Sequence, residues 1–75
     1  MKQIAPRITI DPRVRFGRPV IKGTRVPVDL IVGKIAGGMT VEEVQEEYDL
    51  KKTDVLAALR YAALALRKEN LMYVR

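Results

Sequence analysis

Apolar and polar residues alternate in two short stretches near the start of the chain. Arg7-Ile8-Thr9-Ile10 has the two-residue period of a strand, and Asp11-Pro12 ends it. Val20-Ile21-Lys22 forms a second short extended stretch that is rich in β-branched residues. We expect the two stretches to pair as a hairpin within an N-terminal cap made of residues 1–26.

Three helices are predicted after this cap, between residues 27 and 70. The first runs over residues 28–36, where apolar residues recur at helical spacing until Gly37-Gly38 ends the pattern. The second begins at Thr40, which has the spacing of a capping box with Glu43. The third is capped by Thr53 and runs to about Glu69. Its predicted core stripe consists of Val55, Leu59, Ala62, Ala63 and Leu66.

The third predicted helix is apolar on nearly all sides, with Arg60 as its only charged residue between Val55 and Leu66. A helix that is apolar all round is normally buried all round, and two short helices with a hairpin cannot surround it. We therefore expect a second copy of the chain to cover part of it as a homodimer. The alternative is that alanine serves only as a good helix former on an exposed face. The residues predicted at the partner interface are Leu56, Tyr61, Leu64 and Tyr73.

The fold class that follows is mainly α, with a basic β and turn cap before a three-helix bundle that resembles a helix-turn-helix. We expect the 75 residues to form a single domain. Residues 71–75 make an apolar tail, suited to a short final strand or to docking on a partner.

The composition argues against an enzyme, because the chain contains no Ser, His, Cys or Trp. The usual nucleophiles, the base that titrates near neutral pH and the common zinc ligands are therefore missing, so we expect no catalytic residues, metal or cofactor. The absence of cysteine, of a signal peptide and of a membrane-spanning apolar run favours a cytoplasmic protein.

Charge is segregated along the chain, within a net charge of +5. Residues 1–25 carry seven basic side chains and one acid, and residues 26–50 carry one basic side chain and six acids. Residues 51–75 are again basic. This layout suits a polyanion at one place and a basic partner at another, although mixed surface charge for solubility gives a simpler explanation. The acids of the second helix are interpreted as a solvated face or as a docking face for a basic protein.

The segment from Phe16 to Val28 carries the most specific pattern, Gly17-x-Pro19-x-Ile21-x-Gly23-Thr24-Arg25-x-Pro27-Val28. Together with ITIDP, IAGGMTVEEV and YDLKKTDVLAAL, it resembles the family catalogued as domain of unknown function 433. The resemblance covers about Ile8 to Ala63. It implies a prokaryotic, homeodomain-like helical domain, often similar to antitoxins of the VapB type. Such antitoxins block a PIN-like nuclease toxin and repress their own operon by binding DNA.

The residues support DNA contact more clearly than base recognition. Phosphate contact needs Lys or Arg, and the predicted nucleic-acid-binding residues are Arg13, Arg15, Arg18, Lys22, Arg25, Lys51 and Lys52. The start of the third helix is expected to offer only Asp54, Ala57, Ala58 and Tyr61 to the bases. The leading hypothesis is a small dimeric antitoxin-like regulator that binds a toxin through protein contacts and operator DNA through its basic cap, with the third helix as a packing element. The alternative is a dimeric adaptor that binds no nucleic acid.

Overall fold

The computed structural model describes residues 1–68, and its elements follow the predicted order of strands before helices. Three strands and a three-residue helical turn at Arg15–Gly17 precede three helices. The strands and helices are β1 (Lys2–Ala5), β2 (Ile8–Ile10), β3 (Val20–Ile21), α1 (Val28–Ala36), α2 (Val41–Tyr48) and α3 (Lys52–Lys68). The fold is therefore mainly α with an N-terminal β cap, as predicted. The tail at 71–75 and the predicted end of α3 at Glu69 lie outside the described residues.

The sheet is antiparallel with the strand order β1-β2-β3. The predicted pairing is confirmed, since Ile8 lies opposite Ile21 and Thr9 opposite Val20. Strand β1 was missed by the sequence analysis, because its residues are largely exposed and lack an apolar alternation. Ile8 and Ile21 are fully buried and anchor the sheet on the helices.

Helix α1 has the predicted bounds and the predicted stop. Its first amide, that of Val28, donates to the Pro19 carbonyl at 3.0 Å, which fixes the helix start next to the beginning of β3. At the other end Gly38 takes a φ of +111°. The Met39 amide then donates to the Lys34 carbonyl, and the Gly38 amide to the Ile35 carbonyl, both at 3.0 Å. This pair of hydrogen bonds is a Schellman motif, which uses the backbone freedom of glycine.

The capping box at the start of α2 is also confirmed. The Thr40 hydroxyl accepts the Glu43 amide at 3.0 Å, and the Glu43 carboxylate accepts the Thr40 amide at 2.8 Å. Val44 is fully buried, while Val41 and Tyr48 are half-buried, so the predicted stripe faces the core. The acidic residues of α2 point to solvent.

The prediction that Thr53 caps α3 is wrong. The helix begins at Lys52, and the Lys51 carbonyl accepts the amides of Asp54 and Val55 at 3.0 and 3.2 Å. Asp54 rather than Thr53 supplies the side chain, because its carboxylate accepts the Lys51 amide at 3.1 Å. Thr53 lies exposed in the first turn.

The predicted core stripe of α3 is only partly right. Val55 is fully buried and Leu59 and Ala62 are half-buried, but Ala63 and Leu66 are exposed. Ala57 and Ala58 are buried in their place. The buried side of α3 therefore carries Asp54, Ala57 and Ala58 beside Val55, and small residues such as alanine let packed helices approach closely. From Ala63 to Lys68 no side chain is buried, so apolar residues there remain exposed to solvent.

Candidate nucleic-acid interface

Arg7 connects the sheet to the start of α3. This residue takes a φ of +65° in the turn between β1 and β2, and its Nε donates to Oδ1 of Asp54 at 2.8 Å. The second oxygen of Asp54 accepts the Lys51 amide. The Arg7 carbonyl in turn accepts the Lys22 amide at 2.8 Å. Arg7 thus contacts both the turn after β3 and the beginning of α3.

The turn after β3 is shaped by Thr24 and displays two cations. The Thr24 hydroxyl donates to the Ile21 carbonyl at 2.8 Å and accepts the Val26 amide at 3.0 Å. Gly23 takes a φ of +78°, which a residue with a Cβ adopts only with strain. Lys22 and Arg25 are therefore held on a defined turn with their side chains exposed.

Arg15 joins this turn from the loop between β2 and β3. Its Nε donates to the Arg25 carbonyl at 3.3 Å, and its side chain is exposed. These hydrogen bonds link the three segments that carry five of the seven predicted cations, namely the loop of Arg15, the turn after β3 and the start of α3. We call this set the basic band: Arg15, Lys22, Arg25, Lys51 and Lys52. Within residues 1–68, none of the five forms an ion pair with a carboxylate.

The other two predicted cations are neutralised by acids. Arg13 donates to both carboxylate oxygens of Asp11 at 3.2 Å, and these hydrogen bonds hold the pKa of Asp11 below its usual value. The same pair raises the pKa of Arg13. Arg18 is paired with Asp29 at the start of α1, and both side chains are more than half exposed. Phosphate would have to displace these carboxylates before it reached Arg13 or Arg18.

The outward face of α3 differs from the one predicted. Asp54, Ala57 and Ala58 are buried, so the prediction that they face DNA bases is wrong, and Tyr61 is half-buried. The exposed residues on the side of α3 opposite Val55 are instead Lys52, Thr53, Leu56, Arg60, Ala63 and Arg67. At 100° per residue these six share one side of the helix. Arg60 and Thr53 are polar groups of the kind that read base edges or phosphates, and the sequence analysis missed both.

A signal for this face was nonetheless present in the sequence. Val55, Ala58 and Ala62 follow the helical spacing i, i+3, i+7, which places Arg60 on the opposite side. The sequence prediction instead placed Asp54 on the exposed side, which implies a different rotation of the helix. Asp54 is the only acid of α3, so its inward turn leaves the outward face of residues 52–68 without a carboxylate.

The predicted partner-interface residues do not form one surface, although two of them share a groove. Leu56 is 38% exposed and lies on the outward face of α3. Tyr61 and Leu64 line a groove of about 700 Å³ between β1 and the end of α3, with Ile4 and Ala5 opposite them. Tyr73 lies outside the described residues.

A second groove, of about 440 Å³, lies on the α1 side of α3. Val32 of α1 faces Leu66 across it, and Leu66 is 53% exposed. The last turns of α3 are thus flanked by apolar grooves on both sides. Apolar surface of this kind is typical of sites that contact another protein.

The exposed face of α2 is acidic and consists of Glu42, Glu43, Glu46 and Glu47. It would repel a phosphate backbone that came close. Within residues 1–68, no group of three or more acidic, His or Cys side chains is arranged to hold a metal ion. None of the helices described is both long and apolar enough to cross a membrane.

Comparison with known proteins settles the family. The model of a family of proteins of unknown function, DUF433, matches residues 8–62. The chain belongs to the DUF433 family. The match runs from the start of β2 to Ala62 of α3, so it includes the whole basic band and leaves out β1 and Arg7.

A crystal structure of a DUF433 member protein from Anabaena variabilis superposes with a TM-score of 0.76 and 30% identity, over 83% of this chain and 62% of that one. The crystal structure of Rv2018 from Mycobacterium tuberculosis superposes with a TM-score of 0.64 and 31% identity, over 69% of this chain and 24% of that one. An uncharacterized protein from Archaeoglobus fulgidus is 61% identical over 23 residues, which are 31% of this chain and 64% of that protein. The DUF433 chain thus matches less than two thirds of the length of each of these relatives.

Proposed function

We propose that this chain is a small, antitoxin-like regulator of a prokaryotic toxin–antitoxin module, working in the cytoplasm as a homodimer. It binds operator DNA through the basic band and the outward face of α3. It binds a PIN-like nuclease toxin through protein contacts. Its role is binding rather than catalysis.

The proposal of DNA binding rests on the arrangement of charged side chains at the start of α3. Asp54 is turned inward and paired with Arg7, whereas Lys51 and Lys52 are exposed beside the cations of the turn after β3. The first amides of a helix attract phosphate, and the surrounding cations add to that attraction. The acidic face of α2 restricts the approach of DNA to the other side of the domain.

The experiment for this part is a salt titration of binding to the DNA upstream of the chain's own gene, followed by fluorescence anisotropy. Each phosphate contact lowers the slope of log affinity against log salt by roughly 0.9. Lys22→Gln, Arg25→Gln and Lys52→Gln are each expected to weaken binding and to reduce the salt slope by about one contact.

The matched control is the double variant Arg13→Gln with Arg18→Gln, which removes charge from side chains already paired with Asp11 and Asp29. We expect a smaller loss of affinity there than for two cations of the basic band. Absent binding at about 50 mM salt, or binding that does not respond to salt, would contradict the DNA part.

The toxin part is supported by the family resemblance and by the apolar grooves beside α3. Leu64 and Leu66, one in each groove, are 47% and 53% exposed. Co-expression with the nuclease encoded next to the chain's gene is expected to relieve its toxicity and to yield a stable complex. Leu64→Glu and Leu66→Glu should weaken that complex, while Leu56→Glu on the outward face of α3 should spare it. No complex and no relief of toxicity would rule out this part.

The same grooves support the homodimer. Sedimentation of the full chain at dilution is expected to give twice the mass of the 75-residue chain. A well-ordered monomer that does not associate would contradict it.

A second candidate function, a dimeric adaptor that binds no nucleic acid, is favoured by the acidic face of α2. That face offers four exposed glutamates to a basic protein and would repel DNA. The DNA titration above separates the two candidates, because the adaptor predicts no binding at any salt concentration.

A further inference from the structure

The side chain of Phe16 is 97% exposed, and it is the single phenylalanine of the chain. Aromatic side chains contribute large areas to cores and to interfaces. Here the ring contributes nothing to the core of the domain. It stands at the tip of the loop between β2 and β3, next to Arg15 of the basic band.

The backbone that presents this ring is strained. Arg15, Phe16 and Gly17 take φ values of +52°, +57° and +81°, so three successive residues lie in the left-handed region. Bulky side chains seldom adopt this conformation, and it persists only where surrounding bonds impose it. A Phe held there at full exposure is therefore a candidate for contact with a partner.

Hydrogen bonds within the loop hold this conformation. The Gly17 amide donates to the Val14 carbonyl and the Arg18 amide to the Arg15 carbonyl, both at 3.1 Å. At the base of the loop the Val14 amide donates to the Asp11 carbonyl at 2.8 Å. The ring is thus presented on an ordered loop, which lowers the entropy that a partner would have to remove on binding.

The surroundings of the ring are cationic. Arg15 precedes it directly and donates to the backbone carbonyl of Arg25, and neither arginine pairs with a carboxylate among residues 1–68. Arg13 and Arg18 are already paired with Asp11 and Asp29. A partner for this tip must therefore combine a flat apolar surface with closely spaced negative charge. Stacked base pairs bordered by phosphates have that combination.

We propose that Phe16 inserts as a wedge between adjacent base pairs of the DNA held by the basic band, while Arg15 and Arg25 contact the flanking phosphates. The inference rests on the proposed DNA binding and adds a mode of recognition to it. Apolar wedges of this kind unstack one base step and bend the duplex. The affinity for a DNA sequence would then depend on how easily two adjacent base pairs unstack, in addition to any contact made by α3.

The test uses the full chain and the duplex from upstream of its own gene. One set of duplexes carries 2-aminopurine at successive steps, and another carries a fluorophore pair at the two ends. The unmodified protein is expected to raise 2-aminopurine fluorescence at one step and to shorten the end-to-end distance. Phe16→Ala should abolish both signals and weaken binding by about tenfold, the scale of one lost stacking contact.

Two further variants test whether the unstacking and bending signals require an apolar side chain at position 16. Phe16→Leu keeps an apolar wedge and should retain the unstacking signal. Gln45→Ala changes an uncharged side chain on α2, outside the basic band and both grooves, and should leave both signals unchanged. The salt slope should stay the same in all three variants, because none of them removes a cation. Circular dichroism confirms that each variant is folded.

The outcomes distinguish this inference from the function on which it rests. Salt-dependent binding without unstacking, equal for the unmodified protein and Phe16→Ala, would overturn the wedge and leave the DNA function standing. Absence of any DNA binding would overturn both. Loss of a protein complex in Phe16→Ala, with DNA binding unchanged, would also overturn the wedge and assign the ring to a protein partner.

Discussion

Arg7 and Asp54, which lie 47 positions apart in the sequence, form an ion pair that joins the sheet to the first turn of α3. The Asp54 side chain is 6% exposed and the Arg7 side chain 42%. The pair thus lies at the edge of the core, where a carboxylate without its partner would be costly.

Removal of the Arg7 side chain is expected to destabilise the fold. Arg7→Ala leaves the buried Asp54 carboxylate with only the Lys51 amide, and we expect the free energy of unfolding to fall by about 1–3 kcal/mol. Urea denaturation measures this change. Arg13→Ala, which breaks the exposed pair with Asp11, is the control and should leave the urea midpoint nearly unchanged. Equal shifts of the urea midpoint in the two variants would contradict a larger stabilising contribution from the Arg7–Asp54 pair.

The two candidate caps, Thr40 and Thr53, should respond differently to the same substitution. Thr40→Ala removes the hydroxyl that accepts the Glu43 amide and is expected to cost about 1 kcal/mol of stability. Thr53→Ala changes an exposed residue within the first turn of α3, where alanine is the better helix former, so no loss is expected. Thermal unfolding of both variants compares them directly. A larger loss for Thr53→Ala would contradict the helix start described above.

Substitutions of Gly33, inside α1, and of Gly38, just after it, are expected to change stability in opposite directions. A Cβ at Gly33 would meet nothing within 4 Å, and Gly33 lies inside the helix, so Gly33→Ala should stabilise the protein by roughly 0.5–1 kcal/mol. Gly38 has a φ of +111°, so Gly38→Ala should destabilise it by about 1 kcal/mol or more. Thermal unfolding curves should therefore move in opposite directions. A shift in the same direction would refute the role assigned to Gly38.

The ion pair between Asp11 and Arg13 is expected to make the stability of the fold depend on pH only in the acid range. Hydrogen bonds from Arg13 lower the pKa of Asp11 from its ordinary value of 3.8. A carboxyl whose pKa is lowered on folding contributes its stabilisation above the unfolded pKa and loses it as the pH falls through the folded pKa. The carboxyl resonance of Asp11, followed by NMR, should titrate with a midpoint below 3.8 and move back toward 3.8 in Arg13→Gln. A midpoint unaffected by Arg13→Gln would contradict the assigned cause.

Local signals in the sequence were sufficient for most of the fold. The alternation at Ile8–Ile10, the capping box at Thr40 and the glycine pair after α1 each specify their structure within a few residues, so each was predicted correctly. Strand β1 carries no such signal, because it is a largely exposed edge strand whose structure depends on β2.

The start and rotation of α3 could not be predicted from local residues. Both depend on Asp54, which turns inward because Arg7, far away in the sequence, holds it. With that contact unknown, Thr53 was the natural cap and Asp54 a natural surface residue. The same dependence explains why Asp54, Ala57 and Ala58, and not Arg60, were expected on the exposed side of the helix.

The cations of the candidate site were found from residue type alone, but their partners were not. Arg18 and Asp29 meet through the packing of the loop on α1, and Arg15 and Arg25 meet through the folding of two turns. Such tertiary contacts decide which cations stay available for an anion. Phe16 was named in the sequence analysis only as part of a motif, because its full exposure is a property of the folded loop.

Strand β1 also leaves the outer side of the sheet with backbone amides and carbonyls that pair with no other strand among residues 1–68. An open edge of this kind invites other chains to add to it and to grow into fibres. Here the edge is only four residues long, it begins with Lys2, and its register shifts between Gln3 and Ala5. A charge, a short length and an irregular register are the devices that keep such edges from templating aggregation. Replacement of Lys2 by a β-branched apolar residue would remove one of them and favour insoluble assemblies at high concentration.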